Sequence, residues 1–168
     1  MGKSQWHRFY RANIAAQPAV LFQLLSDLPN YGRWLPPSEA FGETTNVMPY
    51  PVQLGTKYHD GKPAEHGKEW WGTVVGFQPS GSLDFHHVIR VGQLRATIDV
   101  HIHYSIEREG QSTLVNRWLV LDVTMPGVLR PLQRLITGRF DKENVRTMNA
   151  LKEYAEAQAD KMATARPV

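Results

Sequence analysis

From Pro126 to about Ala157 runs the only stretch long enough to cross a whole domain as a single helix. At about 1.5 Å of rise per residue it makes a rod of about 45 Å, and a rod of that length has to be covered along its length. The rest of the chain must therefore supply a broad surface for it to lie on. At about 100° per residue, Leu129, Gln133, Ile136, Phe140, Asn144, Thr147, Leu151 and Ala155 share one stripe. Gln133, Asn144 and Thr147 break its apolar character, and in a dry core each would need a hydrogen-bond partner. Either the helix roofs a partly wet cavity, or these side chains sit at the stripe's margins and reach water or backbone. Pro131 removes a ladder bond, so the helix proper is expected to begin near Arg130, after a separate turn over residues 126–129.

The surface is legible upstream. A first strand is expected from about Gln5 to Ile14, followed by a helix opened by Pro18 at its first position and carrying Val20, Leu21, Leu24 and Leu25 to Ser26. A second short helix from Pro29 carries Tyr31 and Trp34 and stops at Pro36-Pro37. Period-two alternation then fills six segments: 41–47, 55–59, 68–78, 82–91, 94–107 and 111–123. Short connections between them mean an antiparallel meander. The glycine-rich, charged stretch Asp60 to Gly67 is expected to be a mobile loop.

Register follows from the turns. Treating Gly92-Gln93 as a two-residue turn sets Val91 opposite Leu94, Ile89 opposite Ala96, His87 opposite Ile98, Phe85 opposite Val100 and Leu83 opposite Ile102. One face is then apolar apart from His87, while Arg90, His86 and Asp84 share the other with Arg95, Asp99 and His101. The preceding hairpin brings Thr73 beside His87 and Trp71 beside Ile89. For the last hairpin two registers remain open. A two-residue turn points Val115, Arg117, Leu119 and Leu121 inward, and a longer one points Asn116, Trp118, Val120 and Asp122 inward.

Composition limits the chemistry. With 168 residues, 42% hydrophobic and 21% charged, the chain suits one globular domain over residues 1–168. The absence of cysteine removes thiolate nucleophiles and sulfur-rich zinc sites. The opening MGKSQWHRFYRANI lacks the apolar centre of a signal peptide, and no run approaches the about 18 apolar residues of a membrane span, so a cytoplasmic location is expected. The net charge of +3 is spread without a basic cluster, so nucleic acid is not expected as a partner. Nothing in the pattern addresses the oligomeric state.

The order strand, two short helices, six strands, long helix is an α+β helix-grip arrangement: a seven-stranded antiparallel sheet wrapped around the C-terminal helix, with two short helices between strands 1 and 2. Ile14-Ala15-Ala16-Gln17-Pro18, followed by Val20, Phe22, Leu25, Asp27 and Trp34-Leu35-Pro36, resembles the opening of the START-like (SRPBCC) superfamily of polyketide cyclases/dehydrases and lipid-transport proteins. Leu54-Gly55, Val74 to Pro79 and Ser112 to Val115 resemble its strand and turn signals. The resemblance implies a small hydrophobic ligand, of polyketide, lipid or aromatic type, held between sheet and helix. It supplies no catalytic set.

Among polar candidates, His87 falls on the inner face, where an imidazole can serve a ligand or move a proton. Paired with Thr73 it makes a possible acid/base site of a cyclase or dehydratase; alternatively it is a core histidine satisfied by Thr73 or Asn144. Arg117, if inward, would need a carboxylate or an anionic ligand. Trp71, Tyr104, Trp118, Phe140, Tyr31 and Trp34 can line a pocket or simply pack the core, and the pocket wall would include Phe85, Ile98, Val100, Ile102, Ile136 and Asn144. His101 and His103 share a strand face in the manner of half a zinc site, but that face is the polar one and a solvated surface explains them. No phosphate loop, dinucleotide fingerprint or H-E-x-x-H motif occurs, so neither cofactor nor metal is expected. A ligand-free adaptor domain would need no cavity, a carrier a largely apolar one, and an enzyme at least two polar groups meeting in it.

Overall fold

The computed structural model describes residues 2–38, 43–60, 68–91 and 95–164, with residues 68–70, 91 and 162–163 described by backbone alone. In chain order the elements are β1 (Gly2–Ile14), α1 (Pro18–Ser26), a 3-10 helix (Leu28–Arg33), β2 (Thr44–Met48), β3 (Lys57–Asp60), β4 (Lys68–Gln78), β5 (Ser82–Val91), β6 (Ala96–Glu109), β7 (Ser112–Met125), a second 3-10 helix (Gly127–Leu132) and α2 (Gln133–Thr164). The seven strands form one antiparallel sheet in the order β1-β7-β6-β5-β4-β3-β2. This is the expected helix-grip architecture. The strand expected to begin at Phe41 is described only from Thr44, and residues 39–42 and 61–67 lie outside the described residues; Asp60, assigned to a loop from sequence, belongs to β3.

Helix α1 begins at Pro18, whose missing N–H falls where no intrahelical partner exists. It buries Leu21, Phe22 and Leu25 and contacts β5, β6 and α2, each such side chain contributing about 1.5–3 kcal/mol relative to exposure. The second short helix is a 3-10 turn starting one residue early, at Leu28. At the C-terminal end, Pro131 closes the second 3-10 helix, so α2 starts at Gln133 rather than near Arg130. It then runs to Thr164, beyond the expected end.

The buried residues of α2 divide by position. Ahead of Met148 those with described side chains are all polar, Thr137, Asn144 and Thr147; from Met148 onward they are Met148, Leu151 and Ala155. The three polar ones bond back to the helix itself, Thr137 to the Gln133 carbonyl, Asn144 to Phe140 and Thr147 to Glu143. Its C-terminal half thus closes a dry core with Ile14, Leu21, Leu25 and Val115, while its N-terminal half stands over open space.

Two registers differ from expectation. Val91 stands opposite Ala96, so the β5–β6 connection holds four residues instead of two, and His87 meets Val100 rather than Ile98. A shift of two leaves every side chain on its predicted face. The proposed Gly92-Gln93 turn itself lies outside the described residues. In β4, by contrast, a bulge between Val74 and Gly76 inserts one residue, pairing Val74 with Phe85 and Gly76 with Asp84. An odd shift reverses the faces, so Val74 and Gly72 point inward and Thr73 and Trp71 outward. In the last hairpin Glu109 pairs with Ser112 across Gly110-Gln111, with Gly110 at φ 63°. That short turn points Arg117 inward and Trp118 outward.

Candidate functional site

Between the sheet and the N-terminal half of α2 lies a cavity of about 550 Å³. Its wall is built by period two: Phe85, His87 and Ile89 from β5, Ile98, Val100, Ile102 and Tyr104 from β6, Arg117 and Leu119 from β7. Helix α2 contributes Ile136, Phe140, Asn144 and Thr147 from above, and Leu28, Tyr31 and Leu35 close one side. Eleven of the fifteen residues named from sequence as possible lining therefore border this space. Four do not: Trp34 is buried against Tyr31, and three lie on the outer face. Trp71 is 47% exposed against His59, Thr73 faces outward beside His86, and Trp118 is 38% exposed between Phe9 and His103. The β4 bulge displaces Trp71 and Thr73 and the short last turn displaces Trp118.

The polar groups of the cavity gather at two poles. At the first, His87 Nε2 lies 2.5 Å from the Tyr58 hydroxyl and 3.2 Å from Asp60 Oδ2. Asp60 Oδ1 in turn accepts from the Thr44 hydroxyl at 2.8 Å. Both oxygens face Nε2, which can donate to either when it carries a proton. Burial, reinforced by the Asp60 charge, pushes the Tyr58 phenol well above its ordinary value, so it remains a neutral hydroxyl.

Tyr58 and Asp60 were not foreseen. One row of the sheet explains how they arrive: Tyr58, Gly72 and His87 are neighbours across β3, β4 and β5. A Cβ on Gly72 would stand 2.3 Å from Tyr58 Cζ and 2.6 Å from His87 Cδ2. The glycine is thus the gap through which the Tyr58 ring reaches the imidazole, and a glycine inside a strand pattern was the available signal.

At the second pole Arg117, 7% exposed, donates from Nη1 to the Tyr104 hydroxyl and lays its guanidinium 4.9 Å from the centre of the Tyr104 ring. Its Nε is buried without a hydrogen-bond partner among the described residues. Burial raises the Tyr104 pKa, and the adjacent Arg117 charge works against that rise. Nearby, Tyr10 donates to Asp141, which also pairs with Arg8; burial and that carboxylate push the Tyr10 phenol upward.

His101 and His103 lie on the outer face. His101 stacks on His86 with ring centres 4.3 Å apart, and His103 bonds Asp84. Among the described residues no three His, Cys, Asp or Glu side chains are grouped to hold a metal ion, and no helix is long and apolar enough to cross a membrane.

No family model matches the chain, and no curated protein matches it. Solved structures do. The Mll3558 protein of Rhizobium loti is 13% identical with a TM-score of 0.67, over 91% of this chain and 99% of that one. Norcoclaurine synthase of Thalictrum flavum, in complex with a transition-state analogue, is 14% identical with a TM-score of 0.65, over 95% and 99%. Ara h 8.0201 is 13% identical with a TM-score of 0.65, over 92% and 99%. Norcoclaurine synthase and Ara h 8.0201 belong to the Bet v 1/START-like superfamily, and what this chain shares with them is the Bet v 1-like helix-grip fold.

Proposed function

We propose that the chain binds a small, largely apolar ligand, of polyketide, lipid or aromatic type, in the cavity beneath α2. The observation that carries this reading is the cavity itself: about 550 Å³, walled by Phe85, Ile89, Ile98, Val100, Ile102, Leu119, Ile136 and Phe140. That size and lining fall within the usual range for small-molecule sites, about 300–1,000 Å³. An adaptor domain working through its loops would have no use for it. The test is titration with the neutral fluorophore N-phenyl-1-naphthylamine. Saturable enhancement, weakened by Ile102→Trp, which narrows the cavity, supports the reading; no enhancement, or enhancement indifferent to that substitution, defeats it.

A second reading is supported by the first pole: a cyclase or dehydratase-type enzyme in the same cavity. His87, Tyr58 and Asp60 meet within hydrogen-bond reach, as general acid/base chemistry needs, with Tyr58 and Asp60 in the place first given to Thr73. Native mass spectrometry of protein purified from its own host separates the two readings. A bound molecule that is converted on incubation, with conversion stopped by His87→Gln, identifies an enzyme. One that persists unchanged identifies a carrier.

A further inference from the structure

We propose that the ligand of this cavity is an apolar carboxylate, its anionic head held by Arg117 and the Tyr104 hydroxyl and its body lying along the apolar wall. The proposal rests on the cavity reading above and specifies the ligand's chemistry.

Arg117 is more than nine-tenths buried, lines the cavity, and forms no ion pair with any described residue. A guanidinium has five N–H donors and does not deprotonate in proteins. The described bonds use Nη1 alone, toward a neutral hydroxyl, and leave Nε unpartnered. Among the described residues, the carboxylates in or beside the cavity are otherwise engaged. Asp60 is held by His87 and Thr44, Glu143 by Arg146, and Asp141 by Arg8 and Tyr10. A buried cation without a counter-ion is unfavourable unless something supplies one, and the apolar walls supply nothing. The rim agrees in sign: Arg139 and Lys142 of α2 line the cavity, are exposed, and form no ion pair with described residues, so they draw anions toward the opening. A planar carboxylate suits a guanidinium by pairing two oxygens with two N–H groups.

The experiment displaces N-phenyl-1-naphthylamine from the wild-type chain with decanoate and, separately, with 1-decanol, which match in length and differ in charge. Decanoate is expected to bind tighter by about tenfold or more. In Arg117→Met, a substitution of similar length without charge, that preference should vanish, and in Arg117→Lys it should survive in part. Decanoate labelled with 13C at the carboxyl, bound to the wild-type chain, should titrate below its pKa in water; this arm keeps the test decisive if Arg117→Met does not fold. Equal or weaker binding of decanoate than decanol, a preference that persists in Arg117→Met, or an unshifted carboxyl would each overturn the proposal. Probe binding without a decanoate preference removes this inference and leaves the cavity reading standing, whereas no probe binding at all removes both.

Discussion

Replacing Gly72 by alanine puts a single methyl group where the Tyr58 ring now lies, and the consequence can be worked from the distances. The added carbon would stand 2.3 Å and 2.4 Å from Tyr58 Cζ and Cε2 and 2.6 Å from His87 Cδ2. Carbon atoms in contact prefer about 3.5–4.0 Å, so the ring has to retreat by more than about 1 Å. Tyr58 is 2% exposed and meets Phe85 edge-on at 6.0 Å between ring centres; its open side is the cavity. Overpacking of this kind costs about 1–3 kcal/mol, and loss of the buried Tyr58–His87 hydrogen bond adds about 1 kcal/mol. Removing a glycine from a strand returns about 0.5–1 kcal/mol. The net loss is about 1–3.5 kcal/mol, which at about 2–4 °C per kcal/mol for a chain of this size lowers the melting temperature by roughly 2–14 °C. A ring pushed into the cavity also takes ligand space, so affinity for N-phenyl-1-naphthylamine should fall in parallel. Urea unfolding with matched titration measures both. Gly138→Ala is the control, because a Cβ there meets nothing within 4 Å and alanine should stabilise the helix by about 1 kcal/mol. If Gly72→Ala matched the wild type in both stability and affinity, the account of Tyr58 reaching His87 through that gap would be refuted.

Leu151→Ala, in the dry core, should cost about 2–5 kcal/mol in urea unfolding and leave probe affinity unchanged; a parallel loss of affinity would contradict the division of α2 into two halves. Trp71→Ala and Trp118→Ala, both outside the cavity, should not alter probe affinity, and a clear loss from either would mean that the described faces of β4 or β7 are wrong. The Ala15 backbone N–H donates to Glu156, which also pairs with Lys152, and these hold its carboxyl below the ordinary 4.5. A depressed carboxyl contributes stability above its unfolded value that is lost as pH falls through the folded one. Glu156→Ala should therefore lower the melting temperature at pH 7, with the gap to wild type narrowing below pH 4.5; a gap that widens on acidification would contradict that assignment.

How far the sequence went depended on parity. Alternation named the strands, and for β5 and β6 a turn misjudged by two residues was harmless, because His87 stays inward whether it meets Ile98 or Val100. A single inserted residue in β4 was not harmless. It removed Thr73 and Trp71 from the cavity and gave Gly72 the place beside His87. Gly76 marks that bulge physically, since a Cβ there would lie 2.0 Å from the Asp84 carboxylate. In the sequence it is one glycine among thirteen. Tyr58 and Asp60 were missed for another reason: β3 is four residues long, too short for alternation to fix its faces or to separate it from the charged stretch that follows, and Gly72 was the one signal left. Arg117 was recognised as an alternative, and the two-residue turn at Gly110 decided it.

The unequal burial of α2 bears on how anything enters and leaves a space roofed by a helix. Its buried apolar anchors, Met148, Leu151 and Ala155, are confined to the far half, while the near half is fastened by Ile136 and Phe140, which are only partly buried, and by polar tethers: Asp141 to Arg8 and Tyr10, Glu143 to Ser38, and Arg146 to the Pro36 carbonyl. Local opening follows the distribution of buried apolar contacts. Lifting the near half would break these polar tethers and little buried apolar contact, so passage of a guest through the roof calls for a partial excursion of one helix, with the hydrophobic centre of the protein still shut.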